Sequence, residues 1–210
     1  MGKIIGFSGS PTKGGVLESA MTKVLEVTGH EWELVRLSKK NIKYCIGCVG
    51  CAKTNKCIFR DDMDELLEKF MEADAVVFGG ITRHNGVNAI MKNFMERFSP
   101  LYHREMFSKG KPVAIVSSGL ATPKEAYKDM ADFVQGFHME EIGALETGGN
   151  ASCYKCGFGE TCLYSAFRAM NGDDVKITND TFYRLENDAE CVQKAKELGE
   201  KIAKRVERKN

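Results

Sequence analysis

Short apolar runs alternate with stretches of helical periodicity along most of the chain, and few folds satisfy that order. Residues 3–7, 33–37, 75–79, 112–117 and 141–146 read as strands, and their nearly unbroken apolar character suits a sheet covered on both faces. Residues 16–27, 61–71, 88–98 and 123–136 read as helices. Leu66, Leu67, Phe70 and Met71 form one apolar stripe, and Met91, Phe94, Met95 and Phe98 form another; both are core faces. A final helix over residues 188–208 carries Cys191, Ala195, Leu198 and Ile202 on one face. Five strands in this alternation predict an α/β fold with a doubly wound parallel sheet, in a single domain spanning residues 1–210.

A chain of 210 residues with 43% apolar content can bury a full core. The 30 basic and 29 acidic residues are well mixed and leave a net charge of +1, which asks for neither nucleic acid nor an anionic membrane. No apolar stretch reaches the ~18 residues of a membrane span. The opening run is too short and too soon broken for a signal peptide, and Gly6 stands where myristoylation wants Ser or Thr. A cytoplasmic protein is expected. Seven of the eight cysteines fall in two tight clusters, a pattern that in a reducing compartment points to metal or redox chemistry.

The two clusters lie in the two segments too long for plain connectors, residues 38–60 and 147–182, and long loops in a compact domain are usually functional. Ahead of them, Ser8-Gly9-Ser10-Pro11-Thr12-Lys13-Gly14-Gly15 follows the first strand and opens the first helix. Small residues let backbone N–H groups close on an anion, and the helix N-terminus favours negative charge. The loop is neither Walker A nor Gly-x-Gly-x-x-Gly, so it is an ordinary turn or a phosphate loop, and its position and hydroxyls favour the latter.

Cys45, Cys48, Cys51 and Cys57 spell C-x2-C-x2-C-x5-C. Four thiolates are what a [4Fe–4S] or [2Fe–2S] centre requires. Gly47 and Gly50 permit tight turns, and Asp61-Asp62 would cap the following helix. A zinc site, which usually prefers separated C-x2-C knuckles, and a metal-free cysteine loop are the alternatives.

The pairing of SGSPTKGG after strand one with CIGCVGCAKTNKCIFRDDM after strand two resembles the iron–sulfur flavoproteins, within the flavodoxin-like NADPH-dependent FMN reductases. The resemblance is good over about the first 120 residues and looser beyond. It implies FMN and an iron–sulfur cluster, [4Fe–4S] in expectation. FMN would meet Ser8, Ser10, Thr12, Lys13, Gly14 and Gly15, although Val16-Leu17 stand where relatives often carry Asn-Thr. A second flavin loop would run through Gly80, Ile81, Thr82, Arg83, His84, Asn85 and Gly86. Relatives usually carry Pro-x-Tyr at Ile81-Thr82-Arg83, so Arg83 is either a cation beside the ring or a solvated residue. Ser117, Ser118 and Gly119, with Leu120 and Ala121, form the third loop.

Cys153, Cys156 and Cys162 repeat the x2, x5 spacing of Cys48, Cys51 and Cys57. Three readings compete: a second metal site, a dithiol/disulfide pair at Cys153 and Cys156, or thiols lining a substrate pocket. Cys191, the available fourth ligand, sits on the apolar stripe of its helix and reads as buried. His30, His84, His103 and His138 are scattered surface or loop residues, of which His84 alone stands near the expected flavin. The catalytic candidates are Arg83, His84, Cys153 and Cys156.

FMN exchanges one or two electrons and a cluster one, so a chain with both can pair or split electrons. The resemblance implies a ferredoxin-like donor, an unidentified small-molecule acceptor, and a homodimer or homotetramer in which one subunit's cluster approaches its neighbour's flavin. The alternatives are an FMN-only NAD(P)H-dependent reductase of quinone, nitro or azo compounds, and a non-enzymatic electron carrier or thiol/zinc module.

Overall fold

The computed structural model describes residues 1–208. Its elements in chain order are β1 (Lys3–Ser8), α1 (Val16–Val27), β2 (Glu31–Arg36), α2 (Met63–Glu72), β3 (Ala75–Arg83), β4 (Gly86–Val87), α3 (Ala89–Glu96), β5 (Pro112–Ser118), α4 (Pro123–Gly136), β6 (Glu140–Thr147), α5 (Ala166–Asn171) and α6 (Ala189–Glu207). The sheet order is β2-β1-β3-β5-β6, every neighbouring pair being parallel. With β4 set aside, this is the flavodoxin-like doubly wound order.

Period-two alternation within the central strands makes both faces of the sheet apolar. Ile4, Ala75, Val77, Ala114, Val116 and Leu145 pack under α1 and α6, whereas Ile5, Phe7, Val76, Phe78, Val113 and Ile115 pack under α2, α3 and α4. Helices α1 and α6 approach closely because Gly199 has no side chain: a Cβ there would stand 2.6 Å from the Val24 carbonyl oxygen. On the other face Phe98 is fully buried, with its ring 5.0 Å from that of Phe70, 4.9 Å from Phe94 and 5.2 Å from Phe133.

Among the described residues six strands are present rather than five. β3 runs on past Gly79, because Gly80 and Ile81 pair with Ser117 and Ser118 of β5. It then folds back through His84 and Asn85, both left-handed at φ 49° and 60°, into the two-residue β4. Two consecutive positive-φ residues followed by glycine form the tight hairpin turn that the twist of paired strands favours. The expected second flavin loop is therefore a hairpin tip. Strand β2 begins at Glu31, earlier than its apolar run, because Glu31 and Trp32 pair with Lys3 and Ile4 on the exposed edge. The long segment after β6 is not structureless, since it contains α5.

Helix α2 starts at Met63, after the acidic pair expected to cap it. The Asp62 side chain instead accepts the Asn41 N–H at 2.7 Å, and Asp61, although one oxygen lies 3.1 Å from the Met63 N–H, turns into the protein. Among the described residues no helix is long and apolar enough to cross a membrane.

Phe98→Ala is expected to destabilise the fold by about 3–5 kcal/mol, because the surrounding rings cannot collapse into the space it leaves. Urea unfolding followed by circular dichroism measures this, and a loss below ~1 kcal/mol would contradict a rigid aromatic core.

Candidate functional site

The winding of the sheet reverses between β1 and β3, so the loops leaving their carboxyl ends diverge and open a crevice. A cavity of about 970 Å³ lies there, at the upper end of the usual range for cofactor sites. It brings together Ser10, Thr12, Lys13, Gly14 and Gly15 from the loop after β1, Ile81, Thr82 and Arg83 from β3, and Ser118 and Gly119 from the end of β5. Ser8 and Ser117 are fully buried beneath it. His84, Asn85 and Gly86 stand at the hairpin, outside its lining.

Most hydroxyls here build the walls rather than face the space. Ser8 Oγ accepts the Ser10 N–H at 3.3 Å, and Ser10 Oγ accepts the Thr12 N–H at 3.1 Å, which curls the loop into successive turns. Thr82 Oγ1 donates to the Thr122 carbonyl at 2.7 Å, and Ser118 Oγ donates to that of Gly148 at 2.6 Å. Gly14 is left-handed at φ 64° and donates its N–H to Glu18 at 2.8 Å. Helix α1 opens with no side-chain cap hydrogen bond, so its positive end faces the loop. Lys13, Arg83, Lys155 and Arg184 line the cavity against one acidic residue, Glu186, giving it a positive field.

Asn88 escaped the sequence reading. Its Oδ1 accepts the Ile81 N–H at 3.2 Å and its Nδ2 donates to the Gly9 carbonyl at 2.8 Å, clamping the loops after β1 and β3 together. The sequence placed it inside the helix read over residues 88–98, whereas α3 begins at Ala89.

The third wall comes from the segment after β6 and includes Asn150, Ser152, Cys153, Cys156 and Tyr183. Burial, together with hydrogen bonding to Asp188, pushes the Tyr183 phenol up to about 12, so it remains a neutral donor. The Phe167 N–H, the Ser165 hydroxyl and the Ala166 N–H pull the Cys153 thiol below its ordinary range. Cys162 is absent from the lining, and Cys191 is buried on α6, its sulfur 3.9 Å from the Glu146 carbonyl oxygen.

Cys45, Cys48, Cys51 and Cys57 line a second, smaller cavity of about 90 Å³, with Phe59, Arg97 and His103. The turn is made by Gly47 at φ 64° and by Val49 at φ 55° rather than by Gly50. A β-branched residue in that conformation is strained, and such strain persists only where its surroundings impose it. Gly50 serves by lacking a side chain, since a Cβ there would meet Ile58 at 2.6 Å. Burial pushes the Cys51 thiol up, and the neighbouring Cys57, Cys48 and Cys45 add to the rise. Among the described residues no group of three or more His, Cys, Asp or Glu side chains closes tightly enough to hold a single ion. The thiols frame a space without converging on a point.

Arg97 lies under this loop with its side chain 1% exposed, paired to an Asp61 side chain that is 0% exposed. Its guanidinium reaches both Asp61 oxygens, at 2.7 and 3.1 Å, and also the Lys43 carbonyl at 2.7 Å. Nη2 lies 3.4 Å from the Cys57 sulfur, and the group sits over the Phe59 ring at 5.4 Å. Burial opposes the charge of Asp61, but the hydrogen bonds from Arg97, Lys43 and Met63 overcome it and hold the carboxyl below its ordinary range. The other side of the loop is fixed by Asn55, which donates to the Pro100 carbonyl at 2.7 Å and to that of His103.

A crevice at the reversal point of a doubly wound sheet, with an uncapped helix facing it, is the arrangement of a flavin-binding α/β protein. Residues 2–148 match the family model of the NADPH-dependent FMN reductases. The chain is 33% identical to an iron–sulfur flavoprotein of Archaeoglobus fulgidus over 213 residues, covering 99% of this chain and 81% of that protein. An iron–sulfur flavoprotein of Methanocaldococcus jannaschii is 39% identical over 103 residues, 47% of this chain and 53% of its own length. Among solved structures, a flavone reductase superposes with TM-score 0.63 at 16% identity over 98% of this chain and 63% of its own. A Megasphaera elsdenii flavodoxin gives TM-score 0.53 at 15% identity over 96% of this chain and 98% of its own. These two share the fold. The chain belongs to the iron–sulfur flavoproteins of the FMN reductase family and is a flavin-dependent oxidoreductase.

Arg97→Met is expected to cost about 3–5 kcal/mol, because it strands a buried carboxylate. Asp61→Leu combined with Arg97→Met should cost less than the two single losses added, which a double-mutant cycle by urea unfolding would read. Because the folded pKa of Asp61 is depressed, its contribution is present above the unfolded carboxylate value of about 4 and disappears as pH falls through the lower folded value. Asp61→Asn should flatten the acid limb of the stability–pH curve. An unchanged acid limb would show that Asp61 does not contribute there.

Proposed function

We propose that the chain is a single-domain, cytoplasmic oxidoreductase carrying FMN in the larger cavity and an iron–sulfur cluster, [4Fe–4S] by resemblance, in the smaller. The carrying observation is that Cys45, Cys48, Cys51 and Cys57, spread over a C-x2-C-x2-C-x5-C segment, line one small cavity above a buried cation. The donor set fits a thiolate-ligated cluster: an assembly of several irons takes ligands spaced around it, and Arg97 Nη2 offers a hydrogen bond to the Cys57 sulfur.

Ser10, Thr12, Lys13, Gly14 and Gly15 would hold the flavin phosphate, through backbone N–H groups, the Lys13 charge and the α1 terminus. Ser8 and Ser117 support the loops from below, while Ile81, Thr82, Arg83, Ser118 and Gly119 would meet the ring system. Arg83 brings a cation to the cavity, and Tyr183 keeps its proton on the far wall. Asn85, Gly86 and His84 would act only at the rim.

Bound FMN supplies the passage between one- and two-electron chemistry. The protein's part is to seat both centres on one rigid sheet, with electrons entering from a ferredoxin-like donor or NAD(P)H and leaving to a small-molecule acceptor. Tyr44, Ile46, Val49 and Ile58 are 53–78% exposed around the cluster loop. An apolar collar of this kind suits contact with a donor or with another subunit of a homodimer or homotetramer. The size of the larger cavity also favours a second reading, in which nicotinamide stacks directly over the flavin. Steady-state oxidation of NADPH would distinguish that route.

Protein purified anaerobically should contain FMN, iron and acid-labile sulfide. Replacing any one of Cys45, Cys48, Cys51 or Cys57 with Ala should lower iron and sulfide together while FMN remains bound. Full iron in all four variants would remove this ligand set. Ser10→Glu with Thr12→Glu should abolish FMN retention by repelling the phosphate, and unchanged FMN content would place the flavin elsewhere.

A further inference from the structure

Cys153 and Cys156 stand in the flavin cavity but have no part in the function proposed above. Residues 151–156 form one helical turn: the Lys155 N–H donates to the Ser152 carbonyl at 2.9 Å, and the Cys156 N–H donates to the same carbonyl at 3.1 Å. In such a turn residues three apart lie ~5 Å apart at Cα. That separation is inside the window of about 4.4–6.8 Å that a disulfide accepts. The Cys156 sulfur folds back to 3.5 Å from the Cys153 carbonyl oxygen. Both residues are free thiols.

Their surroundings differ in a way that suits thiol–disulfide exchange. Cys156 is exposed, and its sulfur accepts the Phe158 N–H at 3.4 Å. Cys153 is half-buried, facing the Ala166 and Phe167 N–H groups and the Ser165 hydroxyl. Each sulfur thus has N–H or O–H donors beside it, and exchange proceeds through a thiolate. Lys155 and Arg83 border the same part of the cavity, with Arg83 Nη1 3.5 Å from Ser152 Oγ.

We propose that Cys153 and Cys156 are a redox-active dithiol/disulfide pair that exchanges two electrons with the flavin and reduces small anionic disulfides. The proposal rests on FMN occupying this cavity. Reduced FMN gives two electrons and two protons to the Cys153–Cys156 bond, which breaks to two thiols and leaves oxidised FMN. The exposed Cys156 thiolate then attacks an external disulfide, forming a mixed disulfide and releasing one thiol. Cys153 attacks the Cys156 sulfur, releases the second thiol and closes the pair again. In sum, reduced flavin and one disulfide become oxidised flavin and two thiols. A small anionic substrate is favoured because Arg83 and Lys155 border the part of the cavity where the pair sits.

The test uses anaerobic holoprotein equilibrated in graded mixtures of reduced and oxidised glutathione, then acid-quenched, alkylated and mapped by mass spectrometry. The expected result is reversible closure of Cys153 to Cys156. Photoreduction of the bound FMN should then reopen one disulfide per flavin, and Cys156→Ser should retain FMN while losing reduction of glutathione disulfide. Failure of the pair to close, or closure that reduced flavin does not reverse, overturns the proposal. So does a loss of iron from Cys153→Ser and Cys156→Ser, which would make the thiols metal ligands. Wild-type protein that binds no FMN would defeat the cavity assignment itself, whereas bound FMN beside a pair that never closes defeats only the present inference.

Discussion

From β1 the chain winds outward to β2 at one edge of the sheet, and from β3 it winds the other way toward β5 and β6. Two adjacent parallel strands thus send their exits in opposite directions, and no helix can cover the gap between them. That reversal dictates where the loop of Ser10–Gly15 and the end of β3 must face each other. It also leaves the N-terminus of α1 pointing into space. Asn88, accepting from Ile81 and donating to Gly9, keeps the gap at fixed width, and the glycine at position 9 lets the backbone reach the Gly79 carbonyl at 2.8 Å. The larger cavity is therefore a consequence of topology before it is a matter of side-chain chemistry.

The cysteine loop has a different origin. It hangs from the edge strand β2, where the sheet offers no partner, so its order comes from below. Arg97 on the α3 side and Asp61 ahead of α2 are both removed from water, and each is tolerated there only through the other. Between them they fix the Lys43 backbone before the first cysteine and the Cys57 sulfur at the last. An ion pair is poor evidence for stability, but one that grips both ends of a loop gives that loop a single conformation. The same guanidinium gives the Cys57 sulfur a fixed N–H donor at 3.4 Å.

The doubly wound parallel sheet was legible because apolar runs and helical periodicity alternate along most of the chain, and the loops that line both cavities stood out through glycine, hydroxyl and cysteine spacing. What escaped depends on contacts distant in sequence. Nothing local marks Asn88 as a clamp between residues 9 and 81, or Arg97 as the partner of Asp61 across 36 positions. The acidic pair at 61–62 resembled a helix cap because capping is the commonest local use of aspartate, and the tertiary ion pair overrode it for Asp61. The hairpin at His84 and Asn85 was hidden for a similar reason. A two-residue strand carries too little pattern to register, and only its pairing with Thr82 and Arg83 defines it.

The two C-x2-C-x5-C segments show how far spacing alone can specify chemistry. In both, the x2 interval produces a turn that brings sulfurs to one side. In the first, Cys45 adds a fourth thiol, a buried cation lies beneath, and Asn55 ties the x5 interval to the segment around Pro100 and His103. All four sulfurs then share one cavity. In the second, the x2 pair faces the crevice while the x5 interval carries Cys162 away toward α5, where its carbonyl accepts from Arg168 at 3.2 Å. The thiol that would complete a triad is thus drawn out of the group by the packing that follows it. Identical spacing yields a gathered set of four in one place and an isolated pair in the other, because the partners of the intervening residues, not the interval, decide where the last sulfur goes.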